Sequence, residues 1–197
     1  MSKLFFVSTM LFFSVALLAQ RGDVVEGSWK SLKSITEFDL EFDYSNVQIR
    51  DFDSEEAYVA ETVKTKEIDK KGSGEAWKKR WYEDRELYFE PRFITLFNKQ
   101  GYYKATKDND AANYIMKVIT TRHYNGWNAG LIRNPARIDA TISIYKKGKT
   151  DPLFSATYEN VRGTDASGYD FDSHKRVAES YAKLAKCFLK ELKRKSK

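Results

Sequence analysis

The segment from His123 to Pro135 gathers the side chains in this chain that are best suited to holding a ligand. Long connections between strands that keep aromatic and cationic groups are common places for binding. We therefore predict a ligand-binding surface here, to which Trp127 and Arg133 contribute. The alternative is a hairpin extension whose tryptophan packs under the edge of the domain. The predicted ligand-binding residues are His123, Tyr124, Trp127 and Arg133.

Patterns for catalysis are missing from the rest of the sequence. The chain has two histidines, His123 and His174, and one cysteine, Cys187. It contains no nucleophile elbow, no zinc-type cluster of His and Cys, and no glycine-rich dinucleotide fingerprint. Gly72-Ser73-Gly74 has no preceding strand and is not followed by the lysine-serine or lysine-threonine pair of a phosphate loop, so it is interpreted as a turn between helices. We predict no catalytic residue, no metal ligand and no cofactor.

Alternating apolar and polar residues predict the strands that position this segment. Three consecutive runs between Asn113 and Val161 have period two and predict a three-stranded antiparallel meander. An earlier run, Thr36 to Arg50, alternates in the same way and predicts an N-terminal strand. The resulting fold is α+β with two layers, in which a four-stranded mixed sheet is covered by helices.

Helical periodicity accounts for most of the remaining chain. The last helix, from about Ser173 to Arg194, has the clearest amphipathic pattern and is predicted to be the main cover of the sheet. A helix from Glu75 to Lys99 carries an aromatic stripe and is predicted to kink or restart at Pro91. That stripe is expected to cover the sheet; the alternative is an aromatic platform for sugars or bases.

The N-terminus has the pattern of an exported protein. A positive start, Met1 to Lys3, is followed by the apolar run Leu4 to Leu18 and by small residues, which predicts a signal peptide over residues 1–19. Residues 20–197 then form one α+β domain. No cysteine lies near the cleavage point to carry a lipid, and the run is short for a membrane span. We expect a soluble, non-lipidated protein of the periplasm or cell surface, with no transmembrane span after cleavage.

Three stretches support a resemblance to a protein group. They are Glu41-Phe42-Asp43-Tyr44-Ser45-Asn46, then Gly72-Ser73-Gly74-Glu75-Ala76-Trp77-Lys78-Lys79, and Glu90-Pro91-Arg92-Phe93 with Leu96-Phe97-Asn98-Lys99. Together they resemble a group of uncharacterised exported proteins of Bacteroides-type bacteria. The resemblance implies an envelope location and no particular activity.

Three functions remain open at this stage. The preferred one is a non-catalytic binding or assembly module of the bacterial envelope whose partner is an envelope protein or a glycan. A glycan-directed or other hydrolase is the first alternative, because a pair of catalytic carboxylates is defined by spatial separation and leaves no sequence motif. A binder of anionic polymers is the second, because much of the excess positive charge sits in the C-terminal tail; its cations are Lys190, Lys193, Arg194, Lys195 and Lys197. Nucleic acid is not expected as a partner.

Overall fold

A computed structural model describes residues 21–129, 132–163 and 173–197. The predicted signal peptide lies outside these ranges. The strands are β1 (Asp23–Gly27), β2 (Glu37–Asp43), β3 (Gln48–Ile49), β4 (Lys104–Thr106), β5 (Tyr114–Tyr124), β6 (Trp127–Ala129), β7 (Ile132–Asn134), β8 (Arg137–Lys146) and β9 (Phe154–Arg162). The helices are α1 (Glu55–Asp69), α2 (Ser73–Asp84), α3 (Glu90–Asn98) and α4 (Ser173–Lys195).

Seven strands form one mixed sheet in the described part of the chain. Its order is β1-β9-β8-β5-β2-β4, and β3 also pairs with β5. β5, β8 and β9 are antiparallel neighbours, whereas β2 and β3 both run parallel to β5. The longest strand, β5, therefore lies at the centre and receives partners along both of its edges. A separate two-stranded hairpin is formed by β6 and β7.

The α+β class and the meander agree with the sequence prediction, but the prediction of a four-stranded sheet is wrong, because the sheet has seven strands. β1 and β4, of five and three residues, were not predicted, and the predicted N-terminal strand from Thr36 to Arg50 is divided into β2 and the two-residue β3. Such short segments cannot show a period-two pattern that is distinguishable from chance. They become strands because longer neighbours offer them free backbone hydrogen-bonding groups, which is a tertiary effect.

One face of the sheet forms the main core with α4. Every second residue of β8, from Ile138 to Ile144, is fully buried, as are Phe154 and Tyr158 of β9. Phe188 of α4 packs into this layer, with its ring centroid 6.4 Å from those of both Phe154 and Tyr158. The amphipathic pattern of the last helix thus predicted its role correctly, since the apolar stripe faces the sheet and the charged side faces outward.

A smaller cluster joins the α1–α2 hairpin to the edge of the sheet at β3. Its buried members are Val47, Ile49, Val59 and Trp81. Glu55, which is 6 % exposed, accepts hydrogen bonds from Trp81 Nε1 at 2.7 Å and from the Arg85 guanidinium. A buried carboxylate is tolerated only when it is paired and hydrogen-bonded. This ionic contact therefore holds the C-terminal end of α2 against the first residue of α1.

The sequence predicts a kink or restart at Pro91, and the structure has a π-helical turn, Arg85–Phe89, that joins α2 to α3 just before this residue. Pro91 follows in the first turn of α3, where a missing backbone N–H is tolerated. The turn between α1 and α2 is also satisfied internally. Glu67 accepts hydrogen bonds from the amides of Gly72 at 2.7 Å and Gly74 at 2.8 Å, so these amides are already occupied.

None of the helices that the structure describes has both the length and the apolar character needed to span a membrane.

Replacing Phe188 by alanine tests the contact between α4 and the sheet. We expect the free energy of unfolding to fall by about 3–5 kcal/mol, because a fully buried ring is lost and a cavity remains. Chemical denaturation measures this value. The control is Leu87→Ala, whose side chain is 62 % exposed and whose loss should change stability by no more than about 0.5 kcal/mol. Equal effects of the two variants would contradict the assignment of α4 to the core.

Candidate functional site

A polar cleft of about 660 Å³ lies where the ends of β3, β5, β8 and β9 meet. Residues along a strand alternate between its two faces. Arg137 and Asp139 alternate with the buried Ile138 and Ala140, so they lie on the sheet face opposite to α4. The cleft, called the Tyr124 cleft below, is therefore open to solvent. Its lining residues are Arg50, Asp51, Arg122, Tyr124, Asn134, Arg137, Asp139, Glu159 and Asn160.

Strand register brings these residues together from distant parts of the chain. The parallel pairing of β3 with β5 sets Ile49 beside His123, so Arg50 follows next to Tyr124. The antiparallel pairing of β5 with β8 sets Tyr124 beside Arg137. The end of β9 completes the wall with Glu159 and Asn160. Three separate strand pairings are thus needed to build the cleft.

Tyr124 lies at the centre of a network of guanidinium and amide groups. The Cζ atoms of Arg50 and Arg137 lie 5.7 and 5.4 Å from the centroid of its ring, within the range of cation–π attraction. Its hydroxyl accepts a hydrogen bond from Asn134 Nδ2 at 3.0 Å, and Arg137 donates to Asn134 Oδ1 at 2.6 Å. These contacts hold the ring and one arginine in place before any ligand arrives.

The backbone at this cleft departs from regular strand geometry. Arg50 and Asn160 have φ values of 53° and 52°, in the left-handed region that favours glycine. Asparagine adopts the left-handed region at a lower energetic cost than most residues. Arginine has no such advantage, so the conformation of Arg50 is strained. The β5–β8 register also shifts between Thr120 and Arg122, which indicates a bulge. Bulges and left-handed non-glycine residues occur often at functional sites, where they aim a side chain at the cost of stability.

The formal charges of the cleft balance. Three arginines face three carboxylates, those of Asp51, Asp139 and Glu159. Asp139 is held in place: one oxygen lies 3.5 Å from the Arg122 guanidinium and the other accepts the Asn160 amide at 2.6 Å. The cleft therefore offers strong donors and strong acceptors side by side without a large net potential.

His123 lies on the other side of the same strand and does not line the cleft. It is 6 % exposed, and its ring stacks on Trp81 with centroids 5.2 Å apart. Its Nε2 is buried without a hydrogen-bond partner among the described residues. Burial, reinforced by the positive charges of Arg85 and Arg50, lowers the pKa of His123 to about 3. The side chain is accordingly neutral at physiological pH.

The other predicted site residues lie near the cleft. Tyr124 is at its centre. Trp127 begins β6 and is 37 % exposed, and it pairs with Asn134, a residue of the cleft wall. Arg133 belongs to β7, but its side chain is outside the described part of the structure. The long segment thus supplies one wall of the cleft, and a ligand-binding role for its four residues stays a prediction.

Sequence reasoning missed Arg50, Arg122 and Arg137. The alternation of Arg137 and Asp139 with Ile138 and Ala140 in the sequence is a partial signal, since it places the two polar side chains on one face of a strand. The other partners of that face come from β3 and β5, and their positions depend on register. The alternating run predicts a strand up to Arg50, but it carries no information on which strand is its neighbour, so it could not place Arg50 beside Tyr124.

Comparison with known proteins gives little guidance. Neither a family model nor a curated protein matches this chain. Among solved structures, a PelC variant from Paraburkholderia phytofirmans, described as a dodecamer, aligns with 49 % of this chain and 72 % of its own length. The sequence identity is 15 % and the TM-score is 0.29. A likeness this weak supports no statement about the fold or function of this chain.

Burial of His123 predicts a specific loss of stability in acid. Its pKa is lower in the folded chain than in the unfolded chain, so the unfolded chain binds the proton first as the pH falls. The stabilising contribution of the neutral ring is therefore complete above about pH 6.5 and decreases toward pH 3. Denaturation of the wild type and of His123→Phe between pH 7 and pH 4 measures it.

We expect the stability advantage of the wild type over His123→Phe to shrink steadily with falling pH. The control is His174→Gln, which changes the only other histidine of the chain. Parallel pH profiles for the wild type and His123→Phe would show that His123 is not a buried neutral group.

Proposed function

We propose that this chain is an exported, non-catalytic binding module of the bacterial envelope, which holds a glycan in the Tyr124 cleft. The observation that carries the proposal is the arrangement of Arg50 and Arg137 around Tyr124 on an otherwise solvent-facing sheet surface. The apolar leader of residues 4–18 supports the export part of the proposal.

The chemistry of the cleft favours a sugar over a simple anion. Each sugar hydroxyl both donates and accepts a hydrogen bond, so it is best matched by a wall that offers both. Guanidinium groups supply fixed donors, and ionised carboxylates supply acceptors. Asn134 and Asn160 add amide groups of both kinds. Because the lining charges balance, a strongly anionic ligand gains little from the cleft as a whole.

Strain at Arg50 supports a binding role for its side chain. A left-handed conformation costs a non-glycine residue about 1–2 kcal/mol relative to the right-handed form. Glycine at this position would avoid that cost. The arginine that is held there despite the cost places its guanidinium beside the Tyr124 ring, and such strained residues cluster at functional sites.

A hydrolase is the second candidate, because three carboxylates line one cleft. Glycosidases use two carboxyl groups on opposite sides of the scissile bond. Against this role, both oxygens of Asp139 are already engaged by Arg122 and by the Asn160 amide. Incubation of the protein with oligosaccharides and assay of new reducing ends distinguishes the two candidates. Release of products that is lost in Glu159→Gln would replace the binding proposal with a hydrolase.

Replacing Arg50 by glycine should separate stability from binding. The variant relieves the left-handed strain, so its free energy of unfolding should be equal to or higher than that of the wild type, by up to about 1 kcal/mol. Glycan affinity should fall by about 10- to 100-fold, since a hydrogen bond to a charged group contributes about 1.5–3 kcal/mol. Thermal unfolding measures the first effect. Titration calorimetry with oligosaccharides selected from a panel of cell-wall and capsular fragments measures the second.

Asp108→Gly is a matched control for this experiment. Asp108 also has a positive φ, 56°, but it does not line the Tyr124 cleft. The control should change stability in the same direction and leave glycan affinity unchanged. Wild-type affinity in Arg50→Gly, or an equal loss in both variants, would contradict the placement of the ligand in the cleft.

The β6–β7 hairpin is tested by Trp127→Ala and Arg133→Ala. We expect each variant to weaken glycan binding by at least about threefold while the unfolding temperature stays unchanged, because the hairpin continues the cleft wall at Asn134. The same calorimetric titration measures the effect. If both variants bind as tightly as the wild type, Trp127 and Arg133 are excluded as ligand contacts.

A further inference from the structure

A second surface, on the side of the helices that faces away from the sheet, carries a concentrated positive charge. A groove of about 630 Å³ runs between the C-terminal parts of α3 and α4. Its only apolar lining residues, Leu96 and Leu189, are buried, and none of its lining residues is acidic. We call this surface the basic groove. Its cationic residues are Lys99, Lys186, Lys190, Lys193, Arg194 and Lys197.

The six cations are not neutralised by the rest of the described chain. None of them forms an ion pair with a carboxylate among the residues that the structure describes. The two acidic residues of α4 are engaged elsewhere. Glu179 pairs with Arg92 at 2.6 Å, and Glu191 accepts from Tyr158 at 2.9 Å and contacts Lys195. The groove therefore presents a net charge of +6 over a short distance.

Helix ends alone do not explain this cluster. Cations are favoured near a helix C-terminus by the backbone dipole, and the effect falls off within the last turn. α4 ends at Lys195, so Lys186 and Lys190 lie more than one turn before its end. Lys186, Lys190, Lys193 and Arg194 recur on one side of the helix, over about 12 Å at ~1.5 Å per residue. Repulsion between these neighbouring cations lowers the stability of the folded chain, and the packing of α4 does not require cations at these positions.

The shape of the surface favours a chain-like ligand over a membrane. A protein that docks on a bilayer inserts exposed apolar side chains between the lipids. None of the exposed large apolar residues in the described chain lines this groove. Lys99 and Gln100 at the end of α3 instead form the second side of the groove, and Gln100 Oε1 accepts a hydrogen bond from Lys193, which joins the two sides at one point. A groove with cationic walls fits a linear chain that carries repeated negative charges.

We propose that the basic groove binds a linear polyanion, such as a polysaccharide with carboxylate or phosphate groups on successive units. The ligand lies along α4 and pairs its charges with Lys186, Lys190 and Lys193 on one wall and Lys99 on the other. This site is separate from the Tyr124 cleft, which lies on the opposite face of the sheet and has balanced charge. A chain that carries both sites holds two glycan segments of different chemistry at once.

The test compares two triple variants of equal charge change. The groove variant is Lys186→Gln/Lys190→Gln/Lys193→Gln. The control is Lys64→Gln/Lys71→Gln/Lys78→Gln, which removes three exposed lysines from the α1–α2 hairpin. Binding of the purified protein to polygalacturonate, to polyphosphate and to vesicles of phosphatidylglycerol with phosphatidylcholine is measured at 50 and 200 mM salt. Thermal unfolding verifies that both variants remain folded.

We expect the wild type to bind at least one of the two polyanions, with an affinity that falls roughly 50-fold between the two salt concentrations, since four paired lysines release about four counterions. The groove variant should lose at least tenfold in affinity, and its log–log salt dependence should be shallower by about 2, since each released counterion contributes about 0.7. The control should bind like the wild type. The two polymers distinguish a carboxylate ligand from a phosphate ligand.

Three results would overturn the proposal. An equal loss in both triple variants would show that binding follows overall charge and not the groove. Salt-insensitive binding would exclude an electrostatic site. Binding to the vesicles but to neither polymer would assign the surface to a membrane. Glycan binding in the Tyr124 cleft is measured with different ligands and variants. The results can therefore contradict either proposal without contradicting the other.

Discussion

The packing of α4 against one face of the sheet is the contact on which the rest of this structure depends. It buries the apolar residues of the meander on a single side, with Phe188 at the centre of the aromatic layer. The opposite side of the same strands then keeps polar residues such as Arg137 and Asp139. The outward side of α4 keeps its lysines for the same reason. Both candidate binding surfaces are consequences of which faces this one contact covers.

The neighbours His123 and Tyr124 show how strand alternation separates a structural role from a binding role. His123 enters the aromatic cluster under α2, where burial keeps it neutral. Tyr124 emerges on the other face beside two guanidinium groups. A residue type that is common in active sites is thus part of the packing here, while the adjacent tyrosine has the geometry of a binding residue.

The two surfaces differ in electrostatics and therefore in the ligands they suit. The Tyr124 cleft balances three arginines with three carboxylates. It therefore favours ligands that bind through directional hydrogen bonds, and their affinity should depend little on salt. The basic groove has no carboxylate in its lining, so it favours ligands with a high density of negative charge. Binding there should depend steeply on salt. A protein that bridges a neutral sugar and an acidic polymer would use both.

The sequence by itself determined the elements whose pattern is long and local. Ten-residue β8 and 23-residue α4 show their buried faces in their own periodicity, so the meander, its covering helix and the α+β class could be predicted. The seven-stranded sheet and most of the cleft could not. Arg50 reaches Tyr124 only because the two-residue strand β3 pairs in parallel with the end of β5. Periodicity reports which way a side chain faces, whereas the register between distant strands is decided only when the whole core packs.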